Sequence, residues 1–123
     1  MDRTNRRLMR LEALVGLTAA ASLALAHLGE IRWPVFIGLF AAIDLVGFIP
    51  GALAQARARG ERPKPIYYAL YNATHNFATA AVLTLGWALA VRPEWALLAV
   101  PLHLWGDRAL FGNFFKPLEG SFA

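Results

Sequence analysis

The sequence has no cysteine. Disulfides, thiolate metal sites and cysteine nucleophiles are therefore excluded. Charge is scarce too: 16% of the 123 residues are Asp, Glu, Lys or Arg, against 58% hydrophobic. That is too apolar for an ordinary soluble domain of this length. From Ile66 to Val91 there is no charged residue at all, and a helical membrane span needs roughly 20 such residues. No Gly-rich phosphate loop is present, so nothing points to a nucleotide, flavin or haem. No face combines basic residues with exposed aromatics, so the formal charge of +4 does not point to nucleic acid.

The charges that are present sit between apolar segments. Arg3, Arg6, Arg7 and Arg10 precede the first segment, and Arg57, Arg59, Arg62 and Lys64 separate the second from the third. Basic clusters flanking apolar runs are a membrane topology signal and attract anionic headgroups. The pattern predicts an all-α, four-helix transmembrane bundle built from two helical hairpins. Its spans are expected at 8–28, 33–54, 66–91 and 95–114, in one domain covering 1–123. A secretory signal peptide is the rival for the first span, with Ala24-Leu25-Ala26 as its cleavage motif, but Glu12 sits awkwardly in it. Trp33 and Trp95 mark interfaces, and Pro34 suits a first helical turn. Gly47, Pro50 and Gly51 predict a kink just past Asp44. Tyr68, Asn72, His75, Asn76 and Thr79 make a polar stripe along the third helix. The tail from Lys116 to Ala123 is expected to be loosely ordered, and glycines 16, 38, 47 and 86 to permit close helix approach.

With both termini and the 55–65 loop inside, every Lys and Arg except Arg32 and Arg92 lies at the inner side. The positive-inside rule thus predicts a multi-pass membrane protein with cytoplasmic termini.

Helical rise places Asp44 and His103 near the midplane, with Asp107, His75 and Glu12 toward the inner side. His103 and Asp107 share one helix face, being four residues apart. Each ionisable group alone in lipid is costly, so one inward-facing pocket is the economical expectation for all five. Two imidazoles and two carboxylates suit a divalent metal such as zinc. The candidate ligands are Asp44, His75, His103 and Asp107. A catalytic zinc takes three protein ligands and acidifies a water in the open position. Glu12 is then a candidate acid or base, and Arg108 an anion or phosphate anchor. Two other readings use the same residues. One is a non-enzymatic subunit or scaffold whose polar network fixes helix packing, at about 1 kcal/mol per interhelical contact. The other is a proton or substrate path, which would need an oligomer, since four short helices leave little room for a pore. The expected partners are membrane lipids and a homo-oligomer or larger membrane complex.

Four stretches in order carry a resemblance: Arg10-Leu-Glu12, Ile43-Asp44-Leu-Val-Gly47-Phe, Tyr71-Asn72-Ala-Thr-His75, and His103-Leu-Trp-Gly-Asp107-Arg108-Ala-Leu with Lys116 beyond. Together they resemble the bacterial integral-membrane domain-of-unknown-function family 4260, over most of the chain. The resemblance implies four membrane helices and no established activity. The chain departs from the family pattern at Ile43, where proline is usual, at Phe111-Gly112-Asn113, and in lacking a terminal Thr-His-Leu-Gly segment. The order Asp, His, His-x-x-x-Asp is also similar to bacterial inner-membrane proteins described as metal-dependent hydrolases, an analogy at the level of pattern.

Overall fold

The computed structural model describes residues 2–59, 61–116 and 122. Among them there are helices and no strands. Helix α1 is Arg3–Ala26, α2 Trp33–Gly47, α3 Ile49–Arg57, α4 Pro65–Thr74, α5 Phe77–Ala90 and α6 Ala99–Leu110, with 3₁₀ turns at Leu28–Glu30 and Trp95–Leu98.

Helix α1 begins where the Asp2 carboxylate accepts from the Asn5 backbone N–H at 2.8 Å, capping an end that the following arginines would otherwise disfavour. It packs on α6 through its small residues. Ala13 and Ala20 are buried, and Gly16 lies against Trp105 so closely that a Cβ would collide with the indole. Arg10 donates to the carbonyls of Ala109 at 3.0 Å and Leu110 at 3.3 Å. It thereby satisfies acceptors that the end of α6 leaves open.

The second apolar segment bends past Asp44, as expected. Pro50 cannot donate to the helix ladder and its ring crowds the preceding turn, so α2 stops at Gly47 and α3 restarts at Ile49. The third segment, expected as one helix over 66–91, is two. Thr74 donates its hydroxyl back to Leu70 O at 2.9 Å, and α4 ends there. Asn76 then serves both broken ends. Its amide donates to Asn72 O and Ala73 O, each at 2.8 Å, while its side-chain oxygen accepts from Thr79 N–H at 2.8 Å and starts α5. The expected continuous polar stripe is therefore divided at His75. The fourth segment is shorter than expected: α6 starts only at Ala99, after the 3₁₀ turn.

By length and apolarity, two stretches could cross a membrane: α1, and the α2–α3 stretch Trp33–Arg57, both largely uncovered by the rest of the chain. Helix α5 is apolar but shorter.

Leu39, Ile43, Ala80, Val100 and Leu104 form the central apolar core between α2, α5 and α6. A second, aromatic core joins α3 and α4 to the tail. Phe122 is fully buried against Tyr68, Tyr71 and Phe48, over Gly51. The tail was expected to be loose, yet Asn72 also clasps the Lys116 backbone, donating to its carbonyl at 2.9 Å and accepting from its N–H at 2.7 Å. The other tail residues, 117–121 and 123, lie outside the described residues. Gly47 does allow a close approach, to Thr74 beside His75, and Gly16 to Trp105, whereas Gly38 and Gly86 face open space.

A candidate metal centre between α2, α4 and α6

Asp44 reaches the space between the two cores from the last turn of α2. His75 enters from the break after α4, and His103 and Asp107 from successive turns of α6. One ligand atom from each of the four lies within 4.8 Å of the others. His75 Nε2 is 3.1 Å from Asp44 Oδ1 and 3.5 Å from Asp107 Oδ2, and His103 Nε2 is 3.3 Å from both carboxylates. Nitrogen and oxygen thus alternate around a ring with edges of 3.1 to 3.5 Å. A tetrahedral zinc with bonds of roughly 2.0–2.2 Å has six ligand–ligand edges of about 3.3–3.6 Å; the four ring edges are close to this, and the across-ring separations, within 4.8 Å, would close on a bound ion.

The far side of each imidazole is tied down. His103 Nδ1 is 2.7 Å from Phe40 O, and His75 Nδ1 is 3.0 Å from Tyr71 O. A carbonyl can only accept, so both Nδ1 atoms donate. Each Nε2 is thereby turned to the centre, where it offers a lone pair to a cation or, when protonated, donates to a carboxylate, as His75 does to Asp44 at 3.1 Å. Histidine metal ligands are held in this way, by donation from the second ring nitrogen. The His75 ring also stacks on Tyr71, with centroids 3.8 Å apart.

Two imidazole Nε2 atoms and two carboxylate oxygens therefore face one another. His103 Nε2 is buried without a hydrogen-bond partner among the described residues. A buried ring nitrogen beside two anions costs free energy unless a proton or a metal cation joins them. The arrangement could hold a divalent ion. The histidine side chains are 3% and 2% exposed, those of Asp44 and Asp107 43% and 21%. The ring is thus backed by imidazole and open on the carboxylate side.

Four of the five groups expected to share a pocket do so, and Glu12 does not. Its side chain is exposed on α1, and with Arg108 it lines a separate cavity of about 270 Å³ between α1, α5 and α6. Arg108 points away from the ring, its guanidinium over the faces of Phe77 at 4.9 Å, Phe115 at 5.6 Å and Phe114 at 5.9 Å.

Sequence reasoning missed two sets of residues. Lys116 stands over the faces of Tyr71 at 4.5 Å and Phe122 at 5.0 Å, beside the centre, and burial pushes its ammonium pKa down. At the opposite end, Glu94 is gripped by Arg32 in two hydrogen bonds, of 2.7 and 2.5 Å, and by the Trp87 indole at 2.8 Å. The Arg32 hydrogen bonds hold the Glu94 carboxyl down at about 2 against burial, which acts to raise it. The sequence signal for this latch was an Arg and a Glu in the two turns assigned to one side of the membrane. His27, at the end of α1, bonds Glu30 at 2.7 Å and stacks on Trp95.

Comparison of the chain with protein-family models, curated proteins and solved structures finds no match to any of them.

Proposed function

We propose that this chain is a four-span membrane protein built around a divalent-metal centre, with zinc the first candidate and hydrolysis the reaction class. His75, His103 and Asp107 are the ligands. Asp44, the most exposed of the four, is either the fourth ligand or the base that serves a bound water. The observation that carries this reading is His103 Nε2: buried, unpartnered, and 3.3 Å from two carboxylate oxygens. A bound divalent ion would acidify water at the open carboxylate face.

Membrane residence is supported by the two long apolar stretches and by large side chains exposed along α5, such as Val82, Leu85 and Leu89. The uncharged run 66–91 supplies a third crossing through a broken helix, which is tolerated where the break is buried or lines a site. The 3₁₀ turn and α6 supply the fourth. Cytoplasmic termini follow from the basic residues, and a bacterial inner membrane from the resemblance to family 4260. Membership of family 4260 rests on the four sequence stretches, three of which furnish the ring. Lipids are the expected neighbours, and a homo-oligomer or larger membrane complex fits the uncovered helix faces.

The test is elemental analysis of the detergent-purified protein beside a His75→Ala/His103→Ala double variant. About one metal per chain, lost in the double variant, supports the centre. A wild-type protein that stays metal-free under saturating zinc, iron and manganese refutes it and makes the ring a packing lock of a non-enzymatic subunit.

A further inference from the structure

The cavity between α1, α5 and α6 is lined by two opposite charges that do not pair. Glu12 and Arg108 both face it, yet among the described residues Arg108 has no ion pair or hydrogen bond. Its guanidinium is half-buried against Phe77. Such a cation keeps five N–H donors that only water or a ligand can take. Phe77 also lines a second space of about 480 Å³. This is an almost wholly apolar groove between α5 and α6, running past Ala81 and Leu85 toward Leu98 and Trp95. From Phe77 to Leu85 it follows about 12 Å of helix. Helix α5 buries only Ala80, so its groove face is largely uncovered among the described residues.

We infer that the two spaces form one binding site for a zwitterionic phospholipid whose headgroup carries a phosphate and a primary ammonium. Arg108 takes the phosphate with its paired N–H donors, and Glu12 takes the ammonium. An acyl chain lies in the groove beyond Phe77. A purely anionic headgroup would meet the Glu12 carboxylate and be disfavoured. A quaternary ammonium would lose the hydrogen bond that Glu12 accepts. The charges at the cavity therefore select among lipids, and the groove provides retention. The site is separate from the metal ring and rests only on the membrane half of the proposed function.

The experiment is native mass spectrometry of the full chain. The protein is first equilibrated with vesicles of equimolar phosphatidylethanolamine, phosphatidylglycerol and phosphatidylcholine, then extracted in mild detergent. The expected result is about one retained lipid per chain, with phosphatidylethanolamine enriched at least threefold over the other two. Glu12→Gln should bring phosphatidylethanolamine down to the level of phosphatidylglycerol, with metal content unchanged. Arg108→Gln and the groove-filling Ala81→Trp should each lower retention of all three. Soluble glycerophosphoethanolamine, a headgroup without chains, should not displace the bound lipid; displacement would overturn the role of the groove without any variant. Retention in bulk proportions by the wild type, or a preference that survives Glu12→Gln, overturns the inference. An integral protein with unselective lipid defeats this inference alone, whereas a chain recovered in the soluble fraction without lipid defeats the membrane reading with it.

Discussion

Replacing Asp107 with Asn separates a metal centre from a polar lock by the sign of its effect. In the metal-free protein the Asp44 and Asp107 oxygens are no more than 4.8 Å apart. Two unit charges at that separation repel by about 3 kcal/mol at an effective dielectric of 20. In the alkaline limit, where both imidazoles are neutral, no proton relieves this. Asp107→Asn removes the repulsion, so the metal-free variant should melt at or above the metal-free wild type. Zinc should act the other way. At a hundred times its Kd, a ligand specific to the folded state stabilises by about 2.7 kcal/mol. On the scale of small domains this is on the order of 10 °C in Tm. The wild type should show that rise and the variant should lose it. The assay is tryptophan fluorescence of the detergent-solubilised protein on heating, with chelator and with zinc. A metal-free variant that melts several degrees below the metal-free wild type, or one that keeps the full zinc response, would refute the reasoning. The first outcome would mean that the carboxylates stabilise the fold by themselves, as in a packing lock.

Three further outcomes follow from the same geometry. Gly47→Val should push Thr74 away from His75 and weaken zinc binding by about 10- to 100-fold, the usual effect of disturbing a ligand's support; calorimetric titration reads it, and unchanged affinity would mean that the approach at Gly47 does not position His75. Phe122→Ala should cost about 3 kcal/mol, the low end for emptying a fully buried phenylalanine site, and should speed proteolysis after Lys116. The Glu94 carboxyl is held at about 2 against an ordinary value of 4.5. Because the folded-state value is the lower one, the latch contributes fully above the ordinary value, and its contribution is lost as pH falls toward 2. Glu94→Gln should therefore flatten the acid dependence of Tm in that window, and an unaltered profile would exclude the latch from acid unfolding.

Much of the centre was legible because charge is so rare in this chain. Asp44, His75, His103 and Asp107 stand out in apolar surroundings, and the cost of isolated charge in lipid says that they should meet. Depth along a helix can be counted, but azimuth cannot. Glu12 has a suitable depth and lies around the other side of α6. The break at His75 was hidden because Asn76 looks like one more residue of a polar stripe, and its use as a cap appears only when both helix ends are in view. The docked tail was hidden because a lone phenylalanine near a chain end carries no periodicity. The kink after Asp44 was legible because proline acts locally and in the same way in any context.

The ring is assembled from residues 44, 75, 103 and 107, which has a consequence for how the chain is made. Asp44 leaves the ribosome long before any of its partners. In the proposed four-span protein it would enter the bilayer alone, at a cost of about 2.5–3.5 kcal/mol near a helix centre. The apolar residues around it in α2 must offset that cost unaided. The site closes only when α6 arrives, and Arg10, made before it, is already in place to hold the end of that helix. On the proposed function, a substitution that weakens α2 insertion would therefore empty the proposed metal site without touching a ligand, and would register first as a chain that fails to enter the membrane.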